Sequence, residues 1–261
     1  MSADEDLPDE VALLWGLRGG TGRGRRAALT ADDITRAAVR LADADGLAAL
    51  SMARVAAELG NSTMALYRHV RSKDELLLLM SDAALAEPPE LPATGDWREQ
   101  LTAWARAVLG MIRQHPWYRD IPISGPPAGP RNLAWLDRAL AALADTGLTE
   151  AEKMSVVMGL MPLVHGQARL SLDLAAGYAA DPESFGAGYA RSLAQLVDPV
   201  RFPALSRVIA AGVFGPGGPP GAEDGGIDRS EDFDELDAEF RFALTCYFDG
   251  VAGFMAQRAA G

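Results

Sequence analysis

The chain has 261 residues, 49% of them hydrophobic, enough for one large or two modest domains with a real core. Its formal net charge is −12 and its one cysteine, Cys246, excludes an internal disulfide and a cysteine-built metal site. No run approaches the roughly eighteen apolar residues of a membrane span, and the acidic N-terminus lacks the charged-then-apolar pattern of an export signal, so a globular cytoplasmic protein is expected.

The charge is unevenly placed. Residues 1–10 are −5, residues 11–80 hold ten Lys or Arg against seven Asp or Glu, and residues 81–261 are −10. Residues 1–26 read as a flexible arm in which Arg18, Arg23, Arg25 and Arg26 stand among glycines. Such an arm suits tracking phosphates or entering a minor groove. Its Gly20-Thr21-Gly22-Arg23-Gly24 run is not a dinucleotide loop, because no strand precedes it and the third glycine is misplaced.

A first helix starts at Thr30, where Asp33 completes a capping box. Ile34, Ala37, Ala38, Leu41 and Ala42 form its apolar stripe and Gly46 closes it. A second starts at Ser51, repeats apolar residues at Met52, Val55, Ala56 and Leu59, and stops at Gly60. After a turn of about three residues, a third short helix begins among Asn61, Ser62 and Thr63. Leu66 and Val70 turn its inner face to the core, leaving Thr63, Tyr67 and Arg68 to point elsewhere. From Ser62 to His69 is roughly 12 Å at 1.5 Å per residue, a length that fits a major groove about 12 Å wide. Small side chains at Ser62, Thr63 and Ala65 allow close approach to base edges, and Tyr67 and His69 have polar ends suited to phosphate. Ser72 and Glu75 are expected to cap the next helix as a reciprocal capping box, and Lys73 beside its free N–H groups makes an anion site.

The run through Leu59-Gly60, Ala65-Leu66-Tyr67, His69-Val70 and Ser72-Lys73 with Leu76-Leu77 resembles the DNA-binding domain of the tetracycline-repressor family of bacterial regulators. The resemblance implies a three-helix reader over residues 27–80, with Thr63, Met64 and Tyr67 at the groove, Arg54 on the supporting helix, and Tyr67, His69 and Lys73 gripping the backbone. The candidate DNA-binding residues are thus Arg25, Arg26, Arg54, Ser62, Thr63, Met64, Tyr67, His69 and Lys73. Several family members carry a hydroxyl or basic residue where this chain has Met52 and Ala53, so readout from the supporting helix is not expected here.

A linker at residues 86–96 leads into a larger helical domain over 96–261. Asp96 with Glu99 caps a helix whose Leu101, Trp104, Ala105, Val108, Met111 and Ile112 share a face, ended by His115-Pro116. Leu133, Leu136, Leu140 and Leu143 form another stripe, closed by Gly147. Thr149 with Glu152 starts a long helix reaching about Tyr178, and Gly159, Pro162 and Gly166 predict a bend in it. Strand-like alternation is absent, so the chain is expected to be all-α.

Met154, Val157, Met158 and Met161, continued by His165 and Arg169, make a soft stripe able to wall a cavity. Trp104, Met111, Trp117 and Trp135 are candidates for its other sides, giving an apolar small-molecule site with a few polar groups. The same stripe also fits ordinary core, and the resemblance, which implies a ligand-sensing domain, favours the site. With three histidines, His69 and His115 lying in other segments, neither metal nor cofactor is expected.

The end of the chain carries a looser second part of the resemblance: Phe202-Pro203-Ala204-Leu205, a disordered-looking glycine-proline loop near 215–231, then Phe240-Arg241-Phe242-Ala243-Leu244 running to Asp249-Gly250. The family's pairing of its last helices across a two-fold axis implies a dimer seam at Phe240, Leu244, Phe248, Val251 and Met255. Dimerisation also follows from the reader, since one short helix makes too few contacts for a specific site whereas two on a palindrome suffice. Cys246, in an apolar helix, is expected to be a small core residue.

The expected function is a homodimeric regulator, a repressor released from a double-stranded DNA operator by a small, largely apolar effector. Two other classes stay open. A constitutive DNA-binding protein fits the first 80 residues equally well. An enzyme with an appended DNA-binding domain has little support, because the chain has no G-x-S-x-G elbow, H-E-x-x-H or P-loop.

Overall fold

The computed structural model describes residues 7–18, 29–92, 95–122, 125–182, 187–214 and 237–259. Every regular element among them is helical, as expected. No described helix is long and apolar enough to cross a membrane. The chain divides into two compact units, Met1–Val164 and His165–Gly261.

In the first unit α2 (Ala31–Asp45), α3 (Met52–Glu58), α4 (Thr63–Tyr67) and α5 (Lys73–Ala83) form the three-helix reader and the helix that follows it. Local chemistry sets their ends. Thr30 and Asp33 exchange hydrogen bonds as a complete capping box, and the Ser51 and Ser62 hydroxyls accept from the N–H groups of Arg54 and Ala65. Gly46 and Gly60 take φ of 78° and 63°, the left-handed region where only glycine is unstrained, so each ends its helix sharply. The inward faces supply Ile34, Ala37, Ala38, Val55, Leu66, Val70, Leu76 and Met80, all fully buried.

Two expectations differ here. The arm is not unstructured throughout, since α1 (Asp9–Leu14) folds within it and packs on α5 with Leu13 buried. Arg23, Arg25 and Arg26 lie outside the described residues. The Ser72 cap is also not reciprocal: Ser72 Oγ accepts from Glu75 N at 3.0 Å, but the Glu75 carboxylate accepts from Arg71 N at 2.7 Å and from Arg18 Nη1 at 2.8 Å.

Beyond the reader, α6 (Trp97–Gln114) is capped by Asp96 as expected. A 3-10 turn over Pro116–Asp120 follows, and then α7 (Pro130–Ala141). The buried face of α7 is rotated from the leucine stripe: Trp135 and Ala139 are buried while Leu133 is 37% exposed. Helix α8 (Glu150–Ala180) runs continuously through Pro162, and the division between the units falls within its Gly159–Gly166 stretch. The second unit adds α9 (Ala187–Leu196), α10 (Pro203–Ala210) and α11 (Asp237–Ala259). The loop near 215–231 lies outside the described residues. Cys246 is exposed, contrary to the core placement expected for it.

Candidate nucleic-acid interface

Helix α4 is presented by its own cap. With Ser62 Oγ accepting from Ala65 N at 3.3 Å, the helix begins at Thr63 and turns Leu66 inward. Met64 and Tyr67 are left on the outer side, 70% and 43% exposed. Ser62 is exposed as well, whereas Thr63 and His69 are half-buried. Lys73 is the first residue of α5, exposed beside that helix's free N–H groups. A large apolar side chain and a phenol held outward on a capped helix have no folding reason to be exposed together, and they suit a groove flanked by phosphates.

Most cations of this region are occupied. Arg54, the candidate DNA contact on the supporting helix, is ion-paired with Asp45. Arg36 pairs with Asp32 and Asp33, Arg40 with Glu58, and Arg18 with Glu75 and Asp9. Among the described residues Lys73 and Arg68 have no such partner. Arg68, exposed at the C-terminal cap of α4, was not among the sequence candidates. Its adjacency to Tyr67 at the end of the reader helix was the available signal. Arg25 and Arg26 lie outside the described residues.

Two carboxylates join the reader to the helices beyond it. Asp43 on α2 accepts from Trp117 Nε1 at 2.6 Å and pairs with His115 Nδ1 at 2.7 Å, so the end of α6 is held against the reader. Asp82 on α5 is buried and caps α7, with Oδ1 accepting from Arg131 N at 3.1 Å, Asn132 N at 3.0 Å and Asn132 Nδ2 at 3.1 Å. Around it Arg131 Nη1 donates to Ala83 O and Trp135 Nε1 to Ala86 O. Burial, and after it the charge of Asp82, pushes the Tyr118 phenol above its ordinary value.

The ligand candidates divide. Trp104, Met111, Trp117 and Trp135 are buried in the first unit, and Trp104 donates to Trp135 O at 2.9 Å with the two rings edge to face. Trp117 is committed to Asp43. Met154 and Met158 are 38% and 48% exposed and Met161 is half-buried, so the methionine stripe does not line the interior of the single chain. Helix α8 buries Val156, Val157, Leu160, Val164 and Ala168 instead. His165 and Arg169 belong to the second unit, where Arg169 is exposed and pairs with Asp173 at 3.7 Å, and burial lowers the His165 imidazole below its ordinary value. The five residues expected at the dimer seam differ in burial. Phe240, Leu244 and Phe248 are at most 3% exposed within the single chain, Val251 and Met255 are half-buried, and Phe242 and Phe254 are the exposed aromatics of α11. Among the described residues no group of three His, Cys, Asp or Glu is placed to hold a metal.

Residues 34–80 match the family described as bacterial regulatory proteins of the tetR family, and residues 88–215 match the tetracyclin repressor-like C-terminal domain. The chain is 34% identical, over 98% of its own length and 90% of the relative's, to the HTH-type transcriptional repressor DrrR1 of Streptomyces coeruleorubidus. It is 36% identical to an HTH-type transcriptional regulator of Saccharopolyspora erythraea over 49% of this chain and 54% of that one. Its fold is similar to apo ActR of Streptomyces coelicolor, with a TM-score of 0.68 and 28% identity over 90% of this chain and 100% of that one. The crystal structure of ActR in complex with actinorhodin matches with a TM-score of 0.66 and 28% identity over 88% and 99% of the two chains. With a helix-turn-helix reader, an all-helical remainder and a relative matched along nearly its whole length, this chain belongs to the tetracycline-repressor family of DNA-binding bacterial regulators, and not to an enzyme family.

Proposed function

We propose that the protein is a homodimeric transcriptional repressor, acting in the cytoplasm, whose two readers grip a palindromic operator and let go when a small, largely apolar molecule binds the helices after the linker. The observation that carries this is the outward pair Met64 and Tyr67 on the Ser62-capped α4, with Arg68 and Lys73 unpaired beside it. In this reading Ser62, Thr63 and Met64 approach base edges, and Tyr67, His69 and Lys73 hold phosphates. Arg25, Arg26 and Arg54 serve as auxiliary contacts, Arg54 after leaving Asp45.

Repression is supported by the name of the DrrR1 relative, and ligand response by the actinorhodin complex of ActR. The ligand must prefer one arrangement of the protein, since equal affinity for both shifts nothing. The Asp43 and Asp82 joints offer the route: a ligand that displaces α6 or α7 pulls on α2 and α5, the two ends of the reader. Trp104, Met111 and Trp135 are the buried candidates for the ligand site in the first unit, with Met154, Met158 and Met161 contributing from α8, while His165 and Arg169 belong to the second unit. For the dimer face, the exposed Leu170 and Leu174 of α8 and Phe242 and Phe254 of α11 replace the inward Phe240, Leu244 and Phe248.

The test is binding to DNA from upstream of the protein's own coding sequence, across a salt series, with and without actinorhodin and a panel of small apolar compounds. Specific binding that a compound abolishes supports the proposal. Specific binding that nothing abolishes favours a constitutive DNA-binding protein, and absence of specific binding refutes the proposal.

A further inference from the structure

The arginine just before the α5 cap, Arg71, is 62% exposed in its side chain, and its Nη1 lies 2.6 Å from the Asp9 carboxylate. It sits between the end of α4 and Lys73, on the stretch where the reader would meet the DNA backbone. Its partner is supplied from far away in sequence by a six-residue helix. That helix is anchored at three points. Leu13 is buried, Arg18 is held by Glu75 at 2.8 Å, and Trp15 Nε1 donates to Ala128 O at 2.9 Å in the segment leading into α7. The same Asp9 oxygen also lies 3.4 Å from Arg18 Nη2. Asp9 stays 71% exposed, so burial does not account for its place. A carboxylate oxygen facing an arginine is chemically close to a phosphate oxygen facing an arginine.

We propose that Arg71 is a further DNA-phosphate contact of the reader and that Asp9 competes with the phosphate for it, the N-terminal helix acting as an acidic stand-in for the DNA backbone. The proposal rests on the DNA-binding reading and adds a residue and a regulation to it. In free protein Asp9 neutralises Arg71. On DNA a phosphate oxygen takes its place, and Asp9 is released into water at a cost that weakens binding. Because Trp15 ties the same helix to the chain before α7, a displacement of that chain changes how firmly Asp9 is held over Arg71.

The experiment uses the full chain and compares wild type, Asp9→Asn, Glu10→Gln, Arg71→Gln and the double variant Asp9→Asn/Arg71→Gln. The probes are the DNA upstream of the coding sequence and a random duplex of equal length, each titrated over a salt series. Glu10→Gln removes the same charge from a neighbouring exposed residue and so reports the general effect of a less acidic N-terminus. Asp9→Asn is expected to tighten binding beyond Glu10→Gln by up to about fivefold per reader, the range of an exposed ion pair. Arg71→Gln is expected to weaken binding and to lower the salt slope by about 0.9 per contact. In the Arg71→Gln background, Asp9→Asn should give no more than the Glu10→Gln effect. Equal affinities of Asp9→Asn and Glu10→Gln, or an unchanged salt slope in Arg71→Gln, overturn the proposal while leaving DNA binding in place. A wild type that binds neither duplex overturns the DNA-binding reading and this proposal with it. The substituted side chains are solvent-exposed, and thermal melts of each variant check that it folds.

Discussion

The Asp82 carboxylate lies so close to Gly129 that a Cβ on that glycine would overlap it. Gly129 has an ordinary φ of −74°, so its requirement is space and not backbone freedom. The missing side chain lets the carboxylate of α5 reach the free N–H groups of Arg131 and Asn132 and serve as the cap that α7 lacks from its own sequence. Gly129→Ala is therefore expected to push Asp82 out and to cost about 1–3 kcal/mol, the usual range for overpacking. Denaturant unfolding reads the loss. A variant as stable as wild type would mean that α7 can draw away from α5 freely.

Asp43 makes a separate prediction. Replacing it by Ala strands the Nε1–H of a buried tryptophan, Trp117, and removes the partner of His115. An unsatisfied buried donor costs about 1–3 kcal/mol. Asp43→Asn keeps an acceptor for the indole and should recover part of the loss. Tryptophan fluorescence during unfolding follows both, and equal stability of Ala and Asn variants would show that the indole bond contributes nothing.

What the sequence showed was decided locally. The Thr30, Ser51, Ser62, Asp96 and Thr149 helix starts all need partners within three residues, and all formed where the spacing put them. Helix α1 was not legible because its support comes from residues 57 and 62 positions away, Glu75 and Arg71. The Glu75 carboxylate is shared between the distant Arg18 and the neighbouring backbone N–H of Arg71 instead of that of Ser72. On α8 and α11 apolar residues occur on more than one face, so periodicity could not say which stripe the chain buries for itself. Phe240, Leu244 and Phe248 turned inward, and Met154 and Met158 outward.

The outward faces lead to a test of the dimer. Leu170 and Leu174 sit one turn apart on α8, 52% and 50% exposed. A charge there should cost a single chain little and an apolar interface much. Leu174→Glu is expected to shift the protein toward monomer in sedimentation velocity and to weaken operator binding without lowering the thermal stability of the monomer. A dimer of wild-type strength would place the two-fold axis elsewhere.

On DNA, Tyr67→Ala and Lys73→Ala separate contact types. Lys73 is a cation, so its loss should flatten the salt slope by about 0.9 per contact, whereas Tyr67 is neutral and its loss should lower affinity with the slope kept. Both effects should be nearly uniform across operator sequences, because phosphate contacts carry no base information. A Met64→Ala variant that changes the ranking of operator variants would mark the groove-facing position. Wild-type affinity in Tyr67→Ala would remove α4 from the interface.

Burial lowers the His165 imidazole from its ordinary value, so the folded chain keeps this ring neutral at pH values where the unfolded chain already protonates it. Below about pH 6.5 the unfolded state then binds more protons than the folded state, and stability must fall as the pH falls. The decline ends once the folded ring protonates too. Thermal melts between pH 7.5 and 5 should show this loss in wild type and a shallower one in His165→Gln, whose side chain does not titrate. If both proteins lose stability equally over that range, the pH dependence comes from other groups and His165 is not held neutral by the fold.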